Sequence, residues 1–221
     1  MPVMIIIRAS KVTAQQYEAV RDAVGWEEVP AAGAISHSIS FTQNGAVEVN
    51  VWESKALFDD YVETRLKPVM DKFGIVLDDV EVLETHNFAI GAPGLRHVLP
   101  SLTPPEPAPT GRVLAIFRRS NIPAALYDSF RARAPIDAVP HGAVAHAYGR
   151  TGDDILAVDV WDDAGEMMKF IEGAIIPALE AQGMPLHWPE IVPLQTFITS
   201  PAARSHERPY ARAESALAPA E

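Results

Sequence analysis

Two histidines in matching surroundings are the first residues of this chain that can do chemistry. His37 ends the run Gly33-Ala34-Ile35-Ser36-His37, and His146 ends Gly142-Ala143-Val144-Ala145-His146. Strand alternation puts His37 on a face with Ile35 and Ile39, and His146 on a face with Val144 and Tyr148. An imidazole on an apolar face can act as a general base near neutral pH. The competing reading is a core histidine hydrogen-bonded to a neighbour. His141 stands alone after Pro140, where the matching segment has Ala32. Five residues separate it from His146, so on one strand the two point to opposite faces, which disfavours a metal site built from the pair. His141 can still enter a pocket from the strand's mouth.

Other polar residues recur beside these histidines. Tyr17 and Tyr127 fall on the buried stripe expected of a helix, where a phenol either orients a substrate oxygen or simply packs. Along Ala46–Trp52 the valines Val47, Val49 and Val51 take one face, and Glu48, Asn50 and Trp52 take the other. In the matching segment Leu156, Val158 and Val160 oppose Ala157, Asp159 and Trp161. Asp159 can pair with a histidine and hold its tautomer. For Trp52 and Trp161 packing comes first and lining a site second. His187-Trp188 suits either a lid or a loop. Arg8 and Arg118 suit a surface ion pair, or less readily an anion clamp.

The elements that must position these residues come in two copies. Gly33-Ala34 matches Gly142-Ala143, and Val49-Asn50-Val51-Trp52-Glu53 matches Val158-Asp159-Val160-Trp161-Asp162, all 109 positions apart. Upstream the offset is 110, from Arg8 to Arg118, Tyr17 to Tyr127, and Val29-Pro30 to Val139-Pro140. One deletion before the Gly-Ala pair accounts for both offsets, which marks an internal duplication. Each copy reads as strand, helix, strand, hairpin, strand, helix, strand. First strands fall at Val3–Arg8 and Val113–Arg118, and second strands at Gly33–Phe41 and Gly142–Gly149. Third strands are Ala46–Trp52 and Asp154–Trp161, and last strands Val80–Glu84 and Ile191–Thr196. Thr13 with Gln16 forms a capping box, and Ser54 and Asp163 are N-caps of the second helices. Gly74 and Gly183 sit where those helices should end. Pro68 and Pro177 lie inside the helical pattern, where a kink or break is expected.

The order βαββαβ is the ferredoxin-like unit. The fold class expected is α+β, with two ferredoxin-like repeats pairing as an intramolecular dimeric α+β barrel. A four-stranded sheet with helices on one face leaves the other bare. Burying that face against an equivalent sheet gains roughly 25 cal/mol per Å² of apolar area. The boundaries are 1–90 for the first repeat, 91–111 for a proline-rich linker, 112–200 for the second repeat and 201–221 for a flexible tail.

Composition narrows the function. The chain has 221 residues, 48% hydrophobic, with a formal net charge of −11 and its 18 lysines and arginines scattered. That balance disfavours nucleic acid as a partner. No apolar run approaches the roughly 18 residues that span a bilayer, so no membrane partner is expected. With no cysteine there is no thiolate nucleophile or disulfide framework, and a cytoplasmic location fits. There is no glycine-rich phosphate loop, Gly-x-Ser-x-Gly elbow or His-Glu-x-x-His motif.

The repeat order, Val51-Trp52-Glu53-Ser54 with Phe58, and Arg65-Leu66-Lys67-Pro68 resemble the dimeric α+β barrel superfamily in its antibiotic-biosynthesis-monooxygenase-like branch. Val160-Trp161-Asp162-Asp163 repeats the first part, so both halves are covered and the linker and tail are not. The resemblance implies the fold, and a range of activities: cofactor-free oxygenases of aromatic polyketides, haem degraders and haem-dependent enzymes, cyclases, isomerases, lyases, and proteins without known activity. The haem-degrading branch places a histidine about ten residues after the strand-end tryptophan. Val62 and Ile171 stand there, which sets haem degradation aside.

The expected function is an enzyme without cofactor or metal, acting on a small hydrophobic or aromatic molecule by histidine-mediated proton abstraction. Lyase, cyclase, isomerase and monooxygenase outcomes all share that step. His146 is the expected base, aided by Tyr127 and Asp159 with His141 nearby. His37, Tyr17, Asn50, Trp52 and Trp161 are expected to bind substrate. The alternatives are a non-catalytic small-molecule binder and a structural, stress-associated pseudo-dimer. A homodimer of the fused unit is compatible with either.

Overall fold

Local signals set most of the elements. The computed structural model describes residues 1–26, 28–90, 112–120, 122, 125, 140–184, 187–200 and 202–203. The linker at 91–111, most of the tail and the expected second-copy helix with Tyr127 lie outside the described residues. Strand β1 (Val3–Ala9) leads to helix α1 (Ala14–Val24). Thr13 caps α1 with both arms of the capping box, and Gly25 closes it in the left-handed region at φ 63°. Strands β2 (Ala34–Thr42) and β3 (Gly45–Trp52) form the expected hairpin, with its turn at Gln43-Asn44, one residue before the expected Asn44-Gly45.

Two prolines that looked like helix breakers are absorbed. Helix α2 (Lys55–Tyr61) passes through a π-helical stretch, Val62–Leu66, into α3 (Lys67–Phe73). The second half repeats this with α4 (Ala164–Phe170), a π-helical stretch Ile171–Ile175 and α5 (Ile176–Glu180). Proline lacks an N–H and crowds the carbonyl four residues back. The widened turn shifts the preceding bonds, so Lys67 N–H donates to the Val62 carbonyl and Pro68 follows in the first turn of α3. Gly74 caps α3 as expected, whereas α5 ends at Ala181 and Gly183 lies beyond the cap.

The remaining strands are β4 (Asp79–Ile90), β5 (Val113–Arg119), β6 (Ala143–Thr151), β7 (Asp154–Trp161), β8 (Glu190–Pro193) and β9 (Thr196–Thr199). β4 runs six residues past the expected Glu84. The expected last strand at Ile191–Thr196 is instead two strands, because Pro193 cannot donate to a ladder and ends β8.

Contacts divide the chain into two compact units. The first is built on Met1–His86 and takes in the segment beginning at Val192; the second is built on the later half up to Ile191 and takes in the segment beginning at Asn87. In the first unit β1 pairs antiparallel with both β3 and β4, and β2 pairs with β3 and β9. Its core gathers Val3, Ile5, Ile7, Trp52 and Phe58 around Ile198 of β9. In the second unit β7 pairs antiparallel with β5 and β6. Its core gathers Val113, Ala115, Trp161, Met167 and Ile171 around Ala89 of β4. Ala89 and Ile198 are 109 positions apart, the offset of the repeat.

Both hairpins carry the same irregularity. Register shifts between Ala34 and Ser36, and again between Ala143 and Ala145. A bulged residue breaks strict alternation, so the face expected to join His37 to Ile35, and His146 to Val144, does not carry back across the bulge. Before each bulge stands a glycine with positive φ, Gly33 at 77° and Gly142 at 81°. A Cβ on Gly33 would press into the Leu57 side chain, and one on Gly142 would lie 2.8 Å from Glu166 Cβ. Gly74 also has positive φ but open space around it. Gly74→Ala should therefore cost only the backbone term, about 1 kcal/mol, and Gly33→Ala or Gly142→Ala about 2–3 kcal/mol, measured by urea unfolding.

Candidate active site

Antiparallel pairing of β2 with β3 sets His37 directly opposite Asn50. The contacts form a line. His37 Nδ1 lies 2.7 Å from Asn50 Oδ1, and Asn50 Nδ2 donates to Glu48 Oε1 at 2.6 Å. At the other edge of the ring, His37 Nε2 lies 2.8 Å from the Tyr17 hydroxyl. The two rings are nearly parallel, at 5° and 5.8 Å between centroids. An ionised carboxylate only accepts, so the Asn50 amide must turn its NH₂ to Glu48 and its oxygen to His37. That makes Nδ1 the donor and leaves the Nε2 lone pair of the neutral ring to accept the Tyr17 proton.

The line is largely removed from water, with the His37 side chain 12% and that of Glu48 23% exposed. Burial raises the Glu48 carboxyl, but the charge of His37 and the hydrogen bonds from His37 and Asn50 outweigh it, leaving the group below its ordinary value. Glu48 Oε1 is itself 3.4 Å from His37 Nδ1. A proton arriving on His37 would find its charge compensated, the role a carboxylate plays behind a basic imidazole.

Tyr17, His37, Glu48 and Asn50 line a pocket of about 70 Å³ whose other walls include Arg21, Trp26, Trp52, Phe58 and Tyr61. Trp52 packs against Phe58 and Tyr61 at centroid distances of 5.5 and 5.2 Å. Its indole N–H is buried and finds no hydrogen-bond partner among the described residues, and the same is true of Trp161. The Tyr61 phenol is pushed well above its usual range by burial and then by Glu48, against an opposing pull from Arg65. Arg65 also donates to the carbonyls of Val24, Gly25 and Val29, tying α2–α3 to the end of α1.

In the second unit the same register sets His146 opposite Asp159. The contact is direct, Nδ1 to Oδ1 at 2.5 Å. The His146 side chain is 34% exposed. Trp161 lies in the core and packs on Phe170 at 5.5 Å. Tyr127 is outside the described residues. His141 does not join the pair: it lies in the turn before β6 with its side chain 81% exposed, its Nδ1 3.4 Å from Glu166 Oε2. Trp188 is likewise exposed. Among the described residues no group of three or more His, Asp or Glu side chains is placed to hold a metal, and no helix is long and apolar enough to cross a membrane.

Glu48, Arg21 and Trp26 are among the pocket residues that were not expected as site residues from the sequence. Glu48 carried a usable signal, since alternation places it on the face of Asn50. Arg21 lies one helical turn after Tyr17 on the same stripe, where its charge argued against burial; it is buried, with Glu18 2.8 Å away. Trp26, just past the α1 cap, carried no periodic signal at all.

No protein-family model matches the sequence, and no curated protein sequence matches it. Solved structures do share its fold. A "putative monooxygenase" from Lactobacillus acidophilus NCFM is similar over 90% of this chain and 96% of its own, at TM-score 0.59 and 12% identity. A protein of the same description from Fusobacterium nucleatum subsp. nucleatum ATCC 25586 is similar over 90% and 94%, at TM-score 0.61 and 8% identity. These likenesses show a shared α+β fold. At such identities they speak for fold and not for activity.

The depressed Glu48 carboxyl has a consequence for stability. Its ionised form is favoured by folding, so its contribution is complete above the ordinary value of 4.5 and fades as pH falls through the lower folded value. Glu48→Gln should therefore lower stability at neutral pH and flatten the loss of stability on acidification. Urea midpoints collected from about pH 6 down to about pH 3 read this directly.

Proposed function

We propose that this protein is an enzyme that takes a proton from a small hydrophobic or aromatic molecule, with histidine as the base. The observation that carries the reading is the hydrogen-bonded line Glu48–Asn50–His37–Tyr17 ending at an aromatic-walled pocket. A substrate C–H or O–H bond would leave its electron pair on the substrate as an enolate or phenolate. The proton would pass to His37 Nε2, directly or by way of Tyr17. His146 and Asp159 would offer the same imidazole and carboxylate in the second unit. Lyase, cyclase, isomerase and cofactor-free monooxygenase reactions all begin this way, the last with dioxygen as co-reactant. The likeness to the two monooxygenase-type fold neighbours favours the oxygenase branch.

The pocket restricts the substrate. A cavity that holds benzene is about 150 Å³, and this one is about 70 Å³. At that volume it does not enclose a whole aromatic ring, so in this reading part of the substrate lies outside it.

The two units, in this reading, are copies of one ancestral βαββαβ unit fused in tandem, pairing within the chain as two subunits of a dimeric α+β barrel pair. The repeat offset, the shared bulges and the placement of Ala89 and Ile198 support it. Sedimentation should then give a monomer mass; a dimer would mean that fused chains associate further.

Proton abstraction is tested without knowing the full reaction. Small aromatic ketones such as 2-indanone are incubated with the protein in D₂O, and loss of the acidic C–H signal is followed by NMR. The wild type should exceed buffer, and the His37→Gln/His146→Gln variant should lose about 100-fold of that excess. Undiminished exchange in the folded double variant would remove histidine from the role. Quenching of tryptophan fluorescence by the ketones without exchange would favour a binding protein instead.

A further inference from the structure

Each unit backs its histidine with one carboxylate, but the carboxylates come from different strand positions. In β3 the residue opposite the histidine is Asn50, and the carboxylate is Glu48, two residues earlier. In β7 the residue opposite the histidine is Asp159, and the position matching Glu48 is Ala157. Glu48 reaches His37 Nδ1 at 3.4 Å and holds the intervening Asn50 amide at 2.6 Å. Asp159 reaches His146 Nδ1 at 2.5 Å without an intermediary.

These two positions could hold two carboxylates, one or none. Two side by side would repel, and in a half-buried site one would be forced to take a proton. With none, an imidazolium would form there uncompensated, and an asparagine opposite the ring would no longer be held with its oxygen toward Nδ1. The chain carries both arrangements that leave a single carboxylate beside the ring. Strand packing alone does not require this, since Ala157 shows that the first position accepts a small apolar residue and Asn50 that the second accepts a neutral one.

Resting on the proton-transfer reading above, we propose that Glu48 is the positioning residue of the first site, doing for His37 through Asn50 what Asp159 does for His146. The chain then holds two separate imidazole–carboxylate sites, one relayed and one direct. Glu48 sets the Nδ1–H tautomer and compensates the charge of a protonated ring, while Nε2 meets the proton. The other groups around His37 are Tyr17 and Arg21 from α1, Tyr61 from α2, and the apolar Trp26 and Ile198. Of these only Arg21 is a permanent charge, and it is paired with Glu18, so Glu48 is the carboxylate that acts on the ring.

The test exchanges the two arrangements in the full-length protein and reads the imidazoles by nitrogen NMR, assigned with His37→Gln and His146→Gln. Glu48→Ala should lower the His37 titration midpoint by about one pH unit or more and release the fixed tautomer. Adding Asn50→Asp to Glu48→Ala, which copies the second unit, should restore both. In the second unit Asp159→Asn should lower the His146 midpoint, and Ala157→Glu added to it should restore it. Each unit is read separately, so a variant that misfolds one site leaves the other as the deciding case. An unmoved His37 in folded Glu48→Ala overturns the proposal, and so does failure of both paired exchanges to restore their histidines. If the histidines respond as expected and ketone exchange is absent, the enzymatic reading falls and the positioning role of Glu48 stands.

Discussion

The cross-strand register of β2 on β3 is the constraint from which the site follows. It sets His37 opposite Asn50 and, two residues along, Ile39 opposite Glu48. Side chains on a strand alternate between faces, so a slip of one residue would send the whole polar set to the opposite side of the sheet. The two-residue turn Gln43-Asn44, between the paired Thr42 and Gly45, pins one end of the hairpin. At the other end the bulge beside Ala34, held by the Glu53 N–H donating to the Gly33 carbonyl at 2.8 Å, absorbs one extra residue before His37. The second hairpin repeats the arrangement, with Asp162 N–H on the Gly142 carbonyl at the same distance.

With that register in place, burial decides how the polar groups behave. A buried donor or acceptor left without a partner costs about 1–3 kcal/mol, and a lone buried charge more. The line from Glu48 to Tyr17 answers this by giving each member at least one partner, so the charge of Glu48 is buried without being isolated. The same requirement freezes the geometry, because each bond dictates the direction of the next. Asn50 is the component that makes this work: its amide donates to the carboxylate and accepts from the ring, which no carboxylate at that position can do. In the second unit the contact is shorter by one link and the ring more exposed, so its solvent meets the imidazole more readily.

The compact units also show why sequence similarity and spatial grouping differ. The strand segment carrying Ala89 belongs to the first repeat in sequence and packs in the second unit's core, and that carrying Ile198 belongs to the second repeat and packs in the first unit's core. In the first unit this brings Ile198 beside His37, its partner across β2 and β9. A wall of the pocket therefore comes from near the far end of the chain.

Much of the fold could be read along the chain. The duplication, the strand periodicity, the capping box at Thr13 and the hairpin turns are local patterns, and most of the elements they mark among the described residues formed within a few residues of their expected bounds. The exceptions are the π-helical turns that precede Pro68 and Pro177, the β4 extension, and the break after Pro193. Of the site, alternation placed Glu48, Asn50 and Trp52 on one face and singled out His37, His146 and Asp159, because a face is a property of one strand. Which carboxylate serves which ring, the isolation of His141 on the surface, and the burial of Arg21 and Trp26 around His37 were decided only by the tertiary structure. Those depend on strands and helices meeting across 13 to more than 100 residues of sequence, and no periodicity within a segment encodes the distance between two of them.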